Sequence, residues 1–137
     1  MAASTQVIYP SGRAVAFQTG IGLHDISMLA SGNGWSAASV TAHAGGTRAL
    51  ATPITTAQTL IAICATTADS VMLPPGVGGQ MLWVANGGAA SAQIFANTGG
   101  SDTINGIAAA TGIALAAGKS ITLFCPLAGA WFGVLSA

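Results

Sequence analysis

The feature that most constrains the fold of this chain is that its apolar runs are short and are separated by turn residues. Asn86-Gly87, Asn105-Gly106 and Pro74-Pro75 each interrupt an apolar segment. Short strands about 8–12 residues apart, with turn signals between them, are typical of a β-sandwich or barrel. We therefore expect an all-β protein, either a β-sandwich or a barrel. The predicted strands are 39–42, 47–50, 58–64, 70–73, 80–85, 92–96, 112–115, 120–125 and 130–135.

One segment competes with this interpretation because it is rich in alanine. Residues 107–117 could form a helix, but Gly112 lies at the centre of the segment. A glycine inside a helix is unfavourable by about 1 kcal/mol relative to alanine, and no charged residue caps the segment. We predict a loop followed by a strand.

Two of the predicted strands are apolar on both faces. Within 80–85, Met81 and Trp83 lie on one face while Leu82 and Val84 lie on the other. The segment 120–125 has the same property. Strands of this kind are expected where both faces of a sheet are covered.

The chain is poor in charge. Six of its 137 residues are charged, and the formal net charge is zero. An ordinary soluble domain is roughly one quarter charged. A surface with few charges and no net charge favours association. We therefore expect much of the surface to face other protein subunits, and we predict a homo-oligomer.

The small number of ionisable residues also argues against most enzymatic activities and metal sites. The three carboxylates are far apart in the sequence, and His24 and Asp25 are adjacent, so in an extended chain they point to opposite faces. No GxSxG nucleophile motif is present. The histidines and cysteines show no ligand spacing. We predict no catalytic, cofactor-binding or metal-binding residues, no cofactor and no enzymatic activity.

Nucleotide and nucleic-acid binding are equally unsupported by the sequence. Gly118-Lys119-Ser120 resembles the end of a phosphate-binding loop, but position 113 holds Ile113 instead of the required glycine. We interpret these three residues as a turn before a strand. Binding to a phosphate backbone needs several Lys or Arg acting together. With three basic residues in the chain, we expect no nucleic-acid partner.

Membrane association and disulfide bonding are also not expected. The longest apolar stretch, 106–118, is too short to span a bilayer, which takes about 20 residues, and it is interrupted by Thr111 and Gly112. The amino terminus has no basic segment followed by an apolar one, so we expect a soluble protein made in the cytoplasm. Cys64 and Cys125 lie in apolar runs, and we expect buried free thiols, although a bridge between neighbouring strands stays open.

The first part of the chain differs from the rest. We predict an extended N-terminal arm over 1–20 and a single β-sandwich domain over 21–137, with the regular β-core mainly in 55–137. Val15 and Phe17 lie on one face of a short strand that must pair with its own fold or with a neighbouring subunit. With Trp35, in a glycine-rich stretch, they are our candidate interface residues.

Several turn-and-strand patterns of the second half occur together in a way that resembles a known family. They are Asp69-Ser70-Val71 before Leu73-Pro74, the strand ending in Asn86-Gly87, the segment 102–106, Gly118-Lys119-Ser120 and Gly129-Ala130-Trp131. Together they resemble a β-domain of tailed-bacteriophage structural proteins, and the chain looks like a capsid cement or decoration protein. The likeness covers roughly residues 55–137.

This resemblance implies a function, a location and partners. Such proteins have jelly-roll or related β-sandwich folds, and they bind and stabilise the outer surface of the bacteriophage capsid as dimers or trimers. The resemblance therefore implies a jelly-roll-like β-sandwich that forms a homodimer or a homotrimer. The expected partners are the major capsid protein and further copies of the chain. The expected location is the capsid exterior of the virion, after assembly in the host cytoplasm. The alternative is a receptor- or glycan-binding module of a phage head or tail fibre, for which Trp35 is the aromatic candidate.

Overall fold

The structure is a computed structural model that describes residues 5–8, 14–17, 37–108 and 110–137. The chain divides into two compact units, 1–36 and 37–137. In the first unit, β1 (Thr5–Ile8) and β2 (Ala14–Phe17) form an antiparallel two-stranded sheet. The short strand predicted around Val15 is therefore present, and it pairs with another strand of its own chain. Its exchange between subunits stays a prediction.

The second unit contains ten strands and one short 3-10 helix, Arg48–Leu50. Its strands are short, as expected from the turn residues that separate them. They are β3 (Ala37–Thr41), β4 (Thr52–Pro53), β5 (Gln58–Ile63), β6 (Ser70–Met72), β7 (Gln80–Asn86), β8 (Ala92–Phe95), β9 (Thr103–Ile104), β10 (Ile113–Leu115), β11 (Ser120–Leu127) and β12 (Ala130–Leu135).

These strands form two sheets. The six-stranded sheet has the order β3-β5-β7-β11-β12-β9, and the four-stranded sheet has the order β10-β8-β6-β4. From β3 to β8 the chain alternates between the two sheets, and each strand is parallel to the preceding strand of its sheet. This part of the chain is thus wound in successive coils, each of which adds one strand to each sheet.

The winding reverses after β8. Strand β10 pairs with β8 in antiparallel orientation, and β11 pairs with β7 in the same way. The last coil therefore visits the two sheets in the opposite order. Strand β12 then returns antiparallel to β11, and the short β9 pairs with β12 in parallel. The antiparallel hairpin of β11 and β12 completes the larger sheet.

The all-β class is confirmed by these two sheets. The jelly-roll type is not clearly shown, because the first three strands of each sheet in chain order are parallel, whereas a jelly roll is built from antiparallel Greek keys. The coiled winding suggests a β-solenoid-like arrangement. The division into an arm over 1–20 and a domain over 21–137 stays a prediction.

Most strand predictions agree with the structure, and the exceptions are at Arg48–Leu50 and at β9. A strand over 47–50 was wrong, because Arg48–Leu50 forms a 3-10 turn and the short β4 follows it. The alanine-rich segment does end in a strand, β10. Strand β9 follows the turn at Asp102 and has only two residues, too few for a periodic pattern. Among the described residues, no helix has the length and apolarity needed to cross a membrane.

The core lies where the inward faces of the two sheets meet. The larger sheet contributes Ile61, Val84, Ile121, Leu123 and Trp131, and the smaller one contributes Val71, Ile94 and Leu115, all of them almost fully buried. Alternation along β7 and β11 sends every second residue into this cluster. Burial of these side chains is the main force that holds the unit together.

One buried polar side chain joins the two sheets at the end of β7. The Asn86 amide nitrogen donates hydrogen bonds to the carbonyl oxygens of Ala90 and Leu115, each at 2.8 Å, and its side-chain oxygen accepts one from the Gly88 N–H. Leu115 belongs to β10 of the other sheet. The asparagine predicted as a turn residue is therefore a buried link between sheets.

The fold yields a matched pair of leucine substitutions. Leu123→Ala removes a fully buried side chain from the core, and we expect the free energy of unfolding to fall by about 2–5 kcal/mol. Leu60→Ala changes a side chain that is 46% exposed on the opposite face of the same sheet, and it should cost less than about 1 kcal/mol. Urea unfolding followed by circular dichroism measures both. Equal losses would contradict this assignment of the core.

Candidate interaction surface

The outward side of the larger sheet is the candidate functional site, because it is apolar and open. In β7 and β11 the residues between the buried ones point away from the core. The neighbouring strands β5 and β12 continue the same pattern. We call this surface the apolar face, and it comprises Leu60, Met81, Trp83, Phe124, Phe132 and Val134.

Strand register brings these side chains together. Met81 lies opposite Phe124, and Phe124 lies opposite Phe132 on the next strand. The two phenylalanine rings stack with their centroids 5.7 Å apart and their planes 21° apart. Trp83 and Val134 both lie opposite Thr122, on the two sides of β11. The apolar face is therefore continuous across neighbouring strands.

The face remains accessible to solvent despite its apolar character. Phe124 is 40% exposed, Phe132 is 43% exposed and Val134 is 66% exposed. Single exposed apolar residues are normal on protein surfaces, whereas contiguous apolar patches mark sites of interaction. The sequence predicted that β7 and β11 are covered on both sides. The structure covers their inner side with the core, and these side chains on the outer side stay open.

A shallow depression of about 480 Å³ lies at one side of the apolar face. Trp83 and the small side chains of Ala37, Ala38 and Ala85 line it, together with the polar side chains of Gln58 and Ser120. Trp83 is half-buried there and is not part of the core. The depression combines an aromatic ring with the uncharged polar groups of Gln58 and Ser120.

The positively charged side chains of the described residues lie in loops and turns, away from the apolar face. The Arg48 Nε donates to the carbonyl oxygen of Ala96 at 2.9 Å, so this side chain fastens one loop to another. The Lys119 ammonium donates to the carbonyl oxygen of Ala137. Gly118, with a φ of +72°, turns the chain directly before β11, so Gly118-Lys119-Ser120 forms the predicted turn before a strand.

The side-chain carboxylates of Asp69 and Asp102 accept hydrogen bonds from loop and turn residues. Asp69 accepts hydrogen bonds from the Thr66 hydroxyl at 2.6 Å and from the Ala65 N–H at 2.7 Å. These bonds hold the pKa of the Asp69 carboxyl below its ordinary value, the Thr66 hydroxyl having the largest effect. Asp102 accepts from the Gly76 N–H at 2.8 Å, which links two loops distant in sequence.

The cysteine thiols are buried and separate. Cys64 donates to the carbonyl oxygen of Thr66, and Cys125 donates to that of Leu127. Burial raises the pKa of both thiols, which disfavours the reactive thiolate. Among the described residues, no group of three or more His, Cys, Asp or Glu side chains is arranged to hold a metal ion.

The candidate interface residues predicted from the sequence are not tested by these contacts. Val15 and Phe17 lie in β2, of which the backbone alone is described, and Trp35 lies outside the described residues. The apolar face was not predicted as a site. Its signal was present in the two-sided apolar pattern of 80–85 and 120–125, which we attributed to coverage on both sides.

Comparison of the chain with protein-family models, with curated proteins and with solved structures finds no match. The assignment of a role therefore depends on the geometry and chemistry of the surface described above.

The turn at Asp69 gives a prediction about pH. Because its folded pKa is lowered, the carboxylate contributes stability above its unfolded pKa of about 3.9, and this contribution is lost as the pH falls through the folded pKa. We expect Thr66→Val to raise the Asp69 pKa towards its ordinary value, because it removes the hydroxyl donor. Carboxyl NMR titration can follow this directly, since the chain has three acidic side chains.

The matching stability measurement is urea unfolding at pH 7 and at pH 3. Asp69→Asn should lower stability at pH 7 and weaken its decline between the two values. A decline as steep as that of the wild-type protein would show that Asp69 does not contribute to acid sensitivity.

Proposed function

We propose that this protein is a structural component of a bacteriophage virion that binds and stabilises the outer surface of the capsid. The observation that carries the proposal is the open apolar face on the outer side of β7 and β11. Both faces of these strands carry large apolar side chains, and one of these faces is buried in the core. A protein partner with a complementary apolar surface, such as the major capsid protein, accounts for the other.

The fold proposed with this function is a stack of β-coils closed by an antiparallel hairpin. The expectation of a jelly-roll-like β-sandwich stays a prediction, and the parallel strand pairs favour the solenoid-like winding. In either arrangement, the larger sheet offers a broad, open surface. Such a surface suits attachment to a capsid shell better than enclosure of a small substrate.

The size of the apolar face determines how it can bind. Four strands about 4.8 Å apart, each with about six residues of 3.4 Å, cover roughly 400 Å². Burial at about 25 cal/mol per Å² yields roughly 10 kcal/mol before the costs of association. Those costs are about 4–15 kcal/mol, so one face alone binds weakly. A repeating capsid lattice that engages several linked copies supplies the missing affinity.

The chemistry of the face also predicts how binding responds to salt. The four charged residues of the described region lie outside its strands: Arg48, Asp69, Asp102 and Lys119. Apolar contacts are not screened by ions, whereas contacts between exposed charges weaken as salt rises. Covering such a face also buries no unpaired charge. The proposed attachment is therefore adhesive, does not depend on catalysis, and requires neither nucleic acid nor membrane.

The proposal is tested by the double substitution Phe124→Ala and Phe132→Ala. Each ring has roughly 80 Å² of exposed area, so their joint removal costs up to about 4 kcal/mol of binding. We expect at least a tenfold loss of affinity for capsid shells that lack this protein, measured by co-sedimentation. The wild-type affinity should change little between 50 and 500 mM salt.

The matched control is Leu50→Ala with Val77→Ala. These side chains are 62% and 57% exposed but lie outside the sheet. The control should bind shells as the wild-type protein does, and circular dichroism should show that both variants are folded. If the two double variants lose affinity equally, or if neither does, the apolar face is not the attachment surface.

The second candidate is a receptor- or glycan-binding module of a head or tail fibre. The observation that favours it is the depression beside Trp83, because sugars stack on aromatic rings and bond to groups such as the Gln58 amide and the Ser120 hydroxyl. Trp83→Ala distinguishes the two functions when binding to a glycan array is measured beside binding to capsid shells. Under the second candidate it abolishes glycan binding, while the Phe124 and Phe132 variant retains it.

A further inference from the structure

The edges of the two sheets differ sharply in how they are protected. The unit 37–137 has four edge strands among its described residues: β3, β4, β9 and β10. Strands β4 and β9 have two residues each, β4 ends at Pro53, and β10 has three residues. Short strands and proline are two of the devices by which proteins prevent edge-to-edge pairing. These three edges are therefore protected.

Strand β3 lacks this protection. It runs from Ala37 to Thr41, the longest of the four edges, and contains neither a charged residue nor a proline. Its described pairing is with β5 alone, along one side. All of its side chains except that of Val40 are exposed. The Thr41 carbonyl oxygen accepts a hydrogen bond from the Thr52 hydroxyl at 2.8 Å. Among the described residues, no strand pairs with the other side of β3, so its remaining backbone groups can serve as a template for a further strand.

We propose that the occupant of this edge is β3 of a second copy of the chain, in antiparallel orientation. The most common protein oligomer is a twofold dimer, in which the same surface of both subunits meets itself. Such self-pairing places like residues near one another, which charged strands resist. Here the paired residues are Ala37, Ala38, Ser39, Val40 and Thr41, so neither charge nor bulk opposes the approach.

Symmetry also fixes the direction of the two apolar faces. Two antiparallel edge strands are related by a twofold axis perpendicular to the sheet, so both subunits expose the same side. Ser39 lies opposite Leu60 in the sheet, on the side of the apolar face. The dimer therefore forms one sheet of twelve strands, twice the six of each subunit, with both apolar faces on one side.

This arrangement would make the protein bivalent towards a flat partner. The dimer itself does not depend on the proposed function, but its role in strengthening attachment does. The joined edges are much smaller than the roughly 800 Å² per partner of a standard interface. We therefore expect a dimer that dissociates at low concentration in solution and is reinforced when both apolar faces are bound.

Cysteine cross-linking of the full-length protein tests the pairing. Ser39 is the central residue of β3, so Ser39→Cys brings two thiols close together across the twofold axis. We expect a disulfide-linked dimer after mild oxidation, and weaker linkage for single cysteines at 37 and 41. The native thiols of Cys64 and Cys125 are buried and should not contribute. Ser101→Cys, in an exposed loop, is the control and should remain monomeric on a non-reducing gel.

A second measurement uses sedimentation velocity over a range of concentrations. Ser39→Lys places two ammonium groups opposite each other at the axis, and we expect at least a tenfold rise in the dimer dissociation constant. Ser101→Lys should leave it unchanged. The proposal is overturned if Ser39→Lys still dimerises as the wild-type does. It is also overturned if the Ser39→Cys variant dimerises without forming the disulfide, as it would if another segment occupied the edge.

The two proposals fail in different ways. If the protein does not bind shells but Ser39→Cys forms the cross-linked dimer, the proposed function fails and the pairing stands. If shells bind the protein with no trace of β3 pairing, the function stands and the pairing fails. Loss of the dimer in the Phe124 and Phe132 variant, with Ser39→Lys unaffected, would place the subunit interface on the apolar face and overturn the pairing.

Discussion

The structure depends above all on the burial of one face of its two central strands in the core. Strands β7 and β11 carry large apolar side chains on both faces, and they lie side by side in the middle of the larger sheet. Their inner residues, such as Val84 and Leu123, are fully enclosed by the smaller sheet. Their outer residues, such as Met81 and Phe124, remain about 40% exposed. In the proposed function, burial of that second face against a partner contributes the free energy of binding.

The scarcity of charge determines how the rest of the molecule is held together. Because few ionic groups are available, hydrogen bonds between polar side chains and the backbone hold the loops. Asp69 closes one turn, Asp102 joins two loops, and Asn86 links the two sheets. Hydrogen bonds that involve a charged group are stronger than neutral ones. Each of the two carboxylates therefore stabilises its loop more than a neutral side chain in the same place would.

Much of the fold could be predicted from the sequence, because its signals are local. Turn residues such as Asn86-Gly87 and Asn105-Gly106 bound the strands. Alternation divided the side chains of 80–85 between two faces, but it did not show which face lies in the core. The parallel pairing of β3, β5 and β7 could not be predicted, because periodicity does not specify which strands become neighbours. The 3-10 turn at Arg48 was missed because the Arg48 side chain bonds to Ala96, a contact distant in sequence.

The candidate site was predictable in part. Apolarity on both faces of 80–85 and 120–125 showed that two surfaces need cover, but the stacking of Phe124 on Phe132 depends on a strand register that the sequence does not specify.

The most direct test of the proposed function is whether the apolar face becomes buried when the protein reaches its partner. Hydroxyl-radical footprinting of the wild-type protein, free and bound to capsid shells, measures this without any substitution. We predict that Met81, Phe124 and Phe132 are oxidised in the free protein and protected in the bound one, while Leu50 is oxidised equally in both. Protection of Leu50 with continued oxidation of Phe124 and Phe132 would contradict the proposed attachment through the apolar face.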